Sequence, residues 1–397
     1  MLPVAADGRA SPSSPSKLFE STALHRFRSR LKNLASHPAI ASGSALRARS
    51  FGLVWAPTLC HSDPETRGHD MRYIDHGPAG DAETLRLAEG PPPVPQAGEI
   101  LIEVAYAGVN RPDILQRSGR YPPPPNVSPV LGLEVSGHVV ELGPGVREWR
   151  IGDAVTALVP GGGYAEYCVT PADQALRIPT NMDLASAAGL PENWFTVWAN
   201  LADMGALKAG ERLLVHGGTS GIGLTAIQLA KFLGATCWAT VGDDDKAAFC
   251  RTFGAYHVIN YRTTDFAQAV MAMTGHQGVD VILDIVGLPY LERHQAILRR
   301  DGRLVFIALS GGSRGEVDLT PIMAKRLHLT GSTMRPRTIE EKRAVRDALA
   351  TRIWPELDQG RLLPHIGARF ALTEAARAHA LMESGGHRGK IVLAVKP

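Results

Sequence analysis

The sequence predicts an α/β chain, in which a doubly wound parallel sheet is joined to a second, mostly β domain. Three observations carry this. Between residues 191 and 334, continuous apolar strands alternate with helical stretches. Strands of that kind are buried on both faces, which requires helices on each side of a parallel sheet. Between residues 71 and 190, strand signals are short, β-branched and bounded by Gly and Pro, with little helix between them. A glycine-rich turn stands in mid-chain, between one of the apolar strands and a helix.

Length and composition are consistent with this reading. A chain of 397 residues accommodates two or three domains and a large core. No uninterrupted apolar run approaches the roughly 18 residues of a membrane span. Cys60, Cys168, Cys237 and Cys250 are widely scattered, without the close pairs of a zinc knuckle or a disulfide framework. A reducing, cytoplasmic setting follows. The formal charge of +3 is misleading until it is divided. Residues 1–70 hold nine Lys/Arg and five Asp/Glu, which leaves 33 basic and 34 acidic residues in 71–397. The latter segment gives no electrostatic case for nucleic acid. The first 50 residues contain ten Ser and only two acidic residues. That composition suits a mitochondrial or plastid transit peptide, a disordered tail, or upstream sequence ahead of a true start at Met71.

From Met71, "GEILIEVAYAG", "LGLEVSGHVVELG" and "GYAEYCV" read as strands. "RYPPPPNVSP" is an extended loop, because four prolines exclude helix and central strand. The mostly β unit therefore runs over 71–190. The parallel unit, 191–334, follows as "ERLLVHGG", "GLTAIQLAKFLG", "TCWATVG", "DDKAAFCRTFG", "HVIN", "VDVILDIVG", "GRLVFIAL" and "HLTGST". Residues 335–397 add a charged helix from Thr338, a second helix near Glu374–Glu383 and a last strand, "KIVLAV".

The turn reads Gly217-Gly218-Thr219-Ser220-Gly221-Ile222-Gly223, spaced GxxxGxG. Glycine permits positive φ and close approach of backbone to phosphate. The helix that follows presents unpaired N–H groups and the positive end of its dipole. Thr219 and Ser220 add hydroxyl donors, and Gly223 permits tight packing of helix on sheet. A dinucleotide pyrophosphate is the ligand this arrangement suits.

Two oxidoreductase families carry turns of this kind. Short-chain dehydrogenases place theirs near the domain start and carry YxxxK downstream. Here Tyr256, Tyr261 and Tyr290 are followed four residues on by Asn260, Asp265 and His294, never Lys. The segments "AGVNRPDILQRSGRYPPPP", "LGLEVSGHVVELG", "GDAVTALVPGGGYAEYC", "LPENWFTVW", "VHGGTSGIGLTAIQLAK", "GSTMRPR" and "GHRGKIVL" occur in order between Met71 and Pro397. On these the chain resembles the medium-chain dehydrogenase/reductase superfamily. More narrowly it is similar to the zinc-free NAD(P)H:quinone oxidoreductases, in their tumour-suppressor-inducible branch. The resemblance implies a GroES-like catalytic domain over 71–190, completed by 335–397, a Rossmann domain over 191–334, and a homodimer built through sheet edges.

Zinc-dependent relatives hold catalytic metal with Cys, His and Cys. Here Asn110 replaces the first Cys, and Gly132-Leu133-Glu134 replaces the GHE motif. No metal site is expected. Electron-poor acceptors, above all quinones, become the natural substrates for hydride from NADPH. The resemblance places Asn110 near the nicotinamide and Tyr121 on the substrate loop. Asn110 is otherwise a turn residue, and Tyr121 a packing residue. Asp113 reads as a turn or cap residue. No dedicated acid–base residue is evident. Thr196 sits against the cofactor, or is a helix N-terminal or core threonine.

An acid at the end of the second strand would select NADH. Gly242 occupies that position, and Lys246 and Tyr261 match contacts to a 2′-phosphate. Asp243, Asp244 and Asp245 either repel that phosphate or serve the next helix N-terminus. NADPH is the expected cofactor, with NADH the alternative. Ser310–Gly312 and Thr333–Arg335 follow the fifth and sixth strands, where ligands gather. Lys390 reaches the cofactor phosphates or is solvated. The same architecture serves enoyl and alkenal reductases, and non-catalytic NADPH-binding proteins.

Overall fold

The computed structural model describes residues 70–396, so the expectations for residues 1–69 lie outside the described residues. The chain opens with β1 (Met71–Asp75) antiparallel to β2 (Arg86–Gly90). β3 (Glu99–Val109) follows, then helix α1 (Arg111–Arg117). The proline loop over 120–129 is free of helix and strand, as four rigid φ angles require. β4 (Glu134–Leu142), β5 (Ala154–Leu158), β6 (Tyr167–Pro171) and β7 (Ala175–Arg177) join β3 in an antiparallel sheet. Ile100, Ile102, Val104, Val135, Val139, Val155 and Ala157 point inward and form its core. Alternate positions, such as Glu103 and His138, face away, as period-two geometry dictates.

Helix α2 (Leu184–Ala187) and helix α3 (Pro191–Val197) lead out of this sheet. Helix α3 widens directly into a π-helical stretch, Trp198–Met204. The parallel sheet comprises β8 (Arg212–His216), β9 (Thr236–Val241), β10 (His257–Asn260), β11 (Val279–Asp284), β12 (Leu298–Phe306) and β13 (His328–Gly331). Its order is β10-β9-β8-β11-β12-β13, every pair parallel. Helices α4 (Gly221–Phe232), α5 (Asp244–Thr252), α6 (Phe266–Met273), α7 (Leu288–Ile297) and α8 (Thr320–Lys325) connect the strands. Strand β8 shows the double winding in its own sequence. Leu213 and Val215 pack with Leu224 and Ile227 of α4, whereas Leu214 packs with Phe266 and Val270 of α6. Connections leave β8 and β11 in opposite directions, so a crevice opens at their carboxyl ends.

The final segment returns to the first sheet. Helix α9 (Ile339–Arg352) starts at Thr338, whose hydroxyl accepts the Glu341 amide at 3.2 Å while Glu341 accepts the Thr338 amide at 2.8 Å. This is a capping box. Helix α10 (Trp354–Asp358) and β14 (Ile366–Ala371) follow, then α11 (Ala375–Ser384) and β15 (Lys390–Ala394). Strand β15 pairs with β3 antiparallel and with β14 parallel. The terminal residues thus complete the sheet begun by Glu99.

Candidate active site

The glycine turn links β8 to α4 at the crevice. Gly217 has φ +72°, a left-handed conformation, and a Cβ there would lie 2.8 Å from Ile285 Cδ1. A Cβ on Gly223 would lie 2.3 Å from the Gly217 carbonyl oxygen, so only glycine lets the helix start this close to the turn. Ser220 is the N-cap of α4. Its hydroxyl accepts the Gly223 amide at 3.0 Å and donates to the Gly217 carbonyl at 2.8 Å. Its donor is therefore used within the turn, which corrects the expectation that it points at a phosphate. The amides of Gly221 and Ile222, in the first turn of α4, have no intrahelical acceptor. They and the dipole are what the helix offers an anion.

Strand β9 ends at the second candidate position. A Cβ on Gly242 would lie 3.2 Å from the Tyr261 hydroxyl and 3.5 Å from Arg262 Nε. Asp243 caps α5 by accepting the Lys246 amide at 2.7 Å, and Asp244 accepts from Asn260 at 3.0 Å. These acids serve the helix start. The Lys246 ammonium is anchored to the Gly385 carbonyl at 2.8 Å. Arg262 was not anticipated from the sequence. Its guanidinium is exposed and makes no bond to other described residues.

A buried polar cluster closes the crevice. Lys390 forms an ion pair with Glu134, each almost wholly buried, and donates to Asn110 Oδ1 at 2.6 Å. Asn110 in turn donates its side-chain amide to Glu134 at 2.8 Å. The second Glu134 oxygen accepts the Glu192 amide at 2.9 Å. Lys390 was expected at the cofactor phosphates. Its stem does pass the turn, since a Cβ on Gly221 would lie 2.6 Å from Lys390 Cδ, but its charge is turned to Glu134. The physical reason is desolvation: a buried ammonium requires a buried partner. Asn110, expected near the nicotinamide, is likewise buried and committed to this cluster. One of its amide hydrogens remains.

Asp113 caps α1 by accepting the Asn110 amide at 2.8 Å, and it also holds the Gly132 amide at 3.0 Å. Burial pushes its carboxyl up to about 6. Behind it, Tyr164, His379, Arg117 and Glu383 continue the network outward.

Helix α3 borders the open side. Of its seven residues, only Glu192 and Thr196 are not buried, and they lie four positions apart on one face. Asn193 lies against the start of α4, with its Nδ2 2.7 Å from a Cβ built on Gly221. Tyr121 stands across from this face, over the Arg335 guanidinium at 5.8 Å from ring centroid to Cζ. Burial first, then the Glu192 charge, raises the Tyr121 phenol. Arg335 is fixed to the Pro160 carbonyl and to Gln116, both at 2.7 Å. It supports Tyr121. Asn200, in the π-helical stretch, binds the Thr196 carbonyl at 2.8 Å and accepts from Ser332 at 2.9 Å. Thr333 is exposed. The Ser310 hydroxyl is exposed beside β11 and donates to the Ile285 carbonyl at 2.7 Å.

Among the described residues, the one group with the donor set for a metal is His216, Asp284 and His294. It lies in the core beneath the turn, not in the crevice. Apart from one bond between the two histidines, its members bond to neighbours outside the group, and His294 Nδ1 has no partner among the described residues. His216 bonds Thr240 at 2.9 Å and His294 at 2.8 Å, and Asp284 accepts the amides of Val286 and Gly287. At the crevice, Leu133 is buried and has no ligating atom.

Fold and crevice together define a class: an oxidoreductase that joins a GroES-like unit to a Rossmann sheet. Comparison with known proteins agrees. Residues 96–180 match the alcohol dehydrogenase GroES-like domain, and residues 221–351 match the zinc-binding dehydrogenase model. Quinone oxidoreductase from Lama guanicoe is 31% identical over 82% of this chain and 98% of its own. The Homo sapiens enzyme is 30% identical over 81% and 97%. The structure of Escherichia coli quinone oxidoreductase complexed with NADPH superposes with TM-score 0.73 at 31% identity, covering 82% of this chain and 99% of that one. The chain belongs to the quinone oxidoreductases of the medium-chain dehydrogenase/reductase superfamily.

Proposed function

We propose that the protein transfers hydride from NADPH to a quinone or a similar electron-poor acceptor, without zinc. The observation that carries this reading is the open N-terminus of α4 at the crevice, set against a GroES-like wall where Asn110 and Leu133 stand in the metal-ligand positions of zinc-dependent relatives and a buried ion pair, Lys390–Glu134, is bonded to Asn110. The residues present fit a dinucleotide. Gly221 and Ile222 would hold the pyrophosphate through their amides. Gly242 leaves room beside the adenosine ribose, and Tyr261 with Arg262 would meet a 2′-phosphate there. Thr196 would border the nicotinamide half. When bound, the reduced nicotinamide supplies the hydride, and the protein's part is to orient and desolvate. Tyr121, held over Arg335, offers a flat acceptor a ring to stack on. Arg335 fixes the ring's position, and the Lys390–Asn110–Glu134 cluster fixes the floor.

The division of labour follows from the two sheets. Residues 71–190 with 335–397 form the acceptor unit, and 191–334 the nucleotide unit. The exposed β13 edge with Leu319 and Met323 nearby would join two copies as a homodimer. Cys168, Cys237 and Cys250 are unpaired and buried, which suits a reducing, cytoplasmic setting. No helix among the described residues is long and apolar enough to cross a membrane.

Steady-state assays with a quinone and with a crotonyl thioester test this. Quinone turnover with little thioester turnover is the expected result. Turnover of the thioester alone would assign the chain to the enoyl reductases instead, and NADPH binding without turnover would assign it to the non-catalytic relatives.

A further inference from the structure

Hydride transfer to an acceptor leaves an anion that has to be protonated. No residue stood out in the sequence for that task, but the structure offers one. Glu192 sits near the start of α3, between the glycine turn and Tyr121. It shares the half-buried face of the helix with Thr196. Its backbone amide is held by Glu134, yet its carboxyl oxygens make no hydrogen bond among the described residues. A carboxyl in such a place is normally paired or capped. This one is left free on the face where Tyr121 and Thr196 frame the acceptor.

We propose that Glu192 is the proton donor to the reduced acceptor. The inference rests on the oxidoreductase reading above. The step balances as follows. The acceptor takes two electrons and a hydrogen as hydride from the C4–H bond of a reduced nicotinamide dinucleotide, which becomes the oxidised form. The Glu192 O–H bond breaks, and its proton forms an O–H bond on a quinone, or a C–H bond on an activated alkene. The carboxylate that remains is reprotonated from water through the open side of the crevice. For a quinone, the second oxygen keeps the proton arithmetic: hydride plus one proton gives the hydroquinone.

The surroundings support this role. The groups that face Glu192 are Glu134 on β4, Lys390 on β15, Asp113 on α1, Lys342 on α9, Arg335 before α9, and Tyr121 on the proline loop. Glu134 already neutralises Lys390, so that cation is not free for a second carboxylate. Lys342 is drawn to the Arg335 carbonyl at 3.0 Å. Burial, then the Glu134 charge, pushes the Glu192 carboxyl up to about 8. It therefore carries a proton at neutral pH, as a general acid has to.

The test uses the full chain and two readouts. The first needs neither cofactor nor acceptor: a ¹³C NMR titration of glutamate side-chain carboxyls. One resonance should titrate near 8, and Glu192→Gln should remove it. The second is the pH profile of kcat with a quinone and NADPH. Wild-type kcat should fall as pH rises through the midpoint that Glu192 has in the loaded enzyme. Glu192→Gln should be about a hundredfold slower, within the usual range for a lost general acid, and should lack that limb. Its urea midpoint should match or exceed wild type, which separates lost chemistry from lost folding. A missing elevated carboxyl resonance, or a Glu192→Gln enzyme with wild-type rate and profile, overturns the inference while leaving the quinone reductase reading intact. A wild-type protein that turns over no acceptor overturns both.

Discussion

Lys390 and Glu134 are almost fully buried, and each is the other's counter-ion. Lys390→Met would strand the carboxylate in the interior. Removing one partner of a buried pair costs about 3–5 kcal/mol, and urea unfolding should show a loss of that size. Replacing both, as Lys390→Met with Glu134→Leu, should recover much of it. Arg262 is the opposite case, an exposed guanidinium beside Gly242 with nothing to bind in the protein itself. Arg262→Ala should raise the Kd for NADPH about tenfold, which is about 1.4 kcal/mol, and leave NADH unaffected. Calorimetric titration reads this directly, and equal effects on both cofactors would remove Arg262 from the 2′ site. The resemblance to NADPH-using relatives pointed to Gly242 and Tyr261, but not to Arg262. A side chain that swings back over the preceding strand end leaves no periodic signal. Glu192 was not singled out either, although its place on the helix was readable. It stands four residues before Thr196 in "LPENWFTVW", the spacing of one helical face. Its free carboxyl, however, follows from the packing of five other elements around it.

At the level of elements, the glycine turn was almost wholly legible, because a sharp strand-to-helix connection makes steric demands that only glycine meets. Gly223→Ala tests this. Its Cβ would meet the Gly217 and Gly218 carbonyl oxygens at 2.3 and 2.6 Å, and backbone cannot rotate away as a side chain does. Overpacking of this kind costs about 1–3 kcal/mol, and NADPH affinity should fall with it. Unchanged thermal stability and affinity would mean that the helix start is looser than the structure has it. Less legible was the widening of α3 into the π-helical stretch over Trp198–Met204. It depends on Asn200 bridging the Thr196 carbonyl and the Ser332 hydroxyl, a contact across 132 residues. Lys390 illustrates the same limit. Its position before the last strand was readable, but the direction of its charge depended on a glutamate 256 residues earlier in the chain.

At the scale of the molecule, several buried titratable groups set the response to acid. Burial pushes His216 and His379 down to about 3 from an ordinary 6.5, and His294 well below that ordinary value. Each stays neutral in the fold and gains a proton on unfolding. Their contribution is complete above pH 6.5 and is lost as pH falls toward 3, at about 1.4 kcal/mol per unit for each. Asp113 and Asp284 are held up at about 6 from an ordinary 3.8, and Glu192 at about 8 from an ordinary 4.5, so across the interval from 6 down to about 4 these carboxyls bind protons in the fold first and oppose that loss. Below about pH 4 the opposition ends. Stability measured by urea titration should therefore fall gently from pH 6.5 to 4 and steeply below 4. A steep fall already at pH 6 would mean that the carboxyls do not take up protons in the fold, and the absence of any steep fall below pH 4 would mean that the histidines are not neutral in the core. The central claim concerns the crevice as a whole, where the two sheets bring an open helix N-terminus, Gly242 and the face of Glu192 and Thr196 together. Its most direct test is the ratio of kcat/KM for NADPH and NADH with a quinone as acceptor. The account predicts turnover with NADPH favoured at least tenfold, about 1.4 kcal/mol. Equal use of the two cofactors, or no quinone reduction with either, would contradict it.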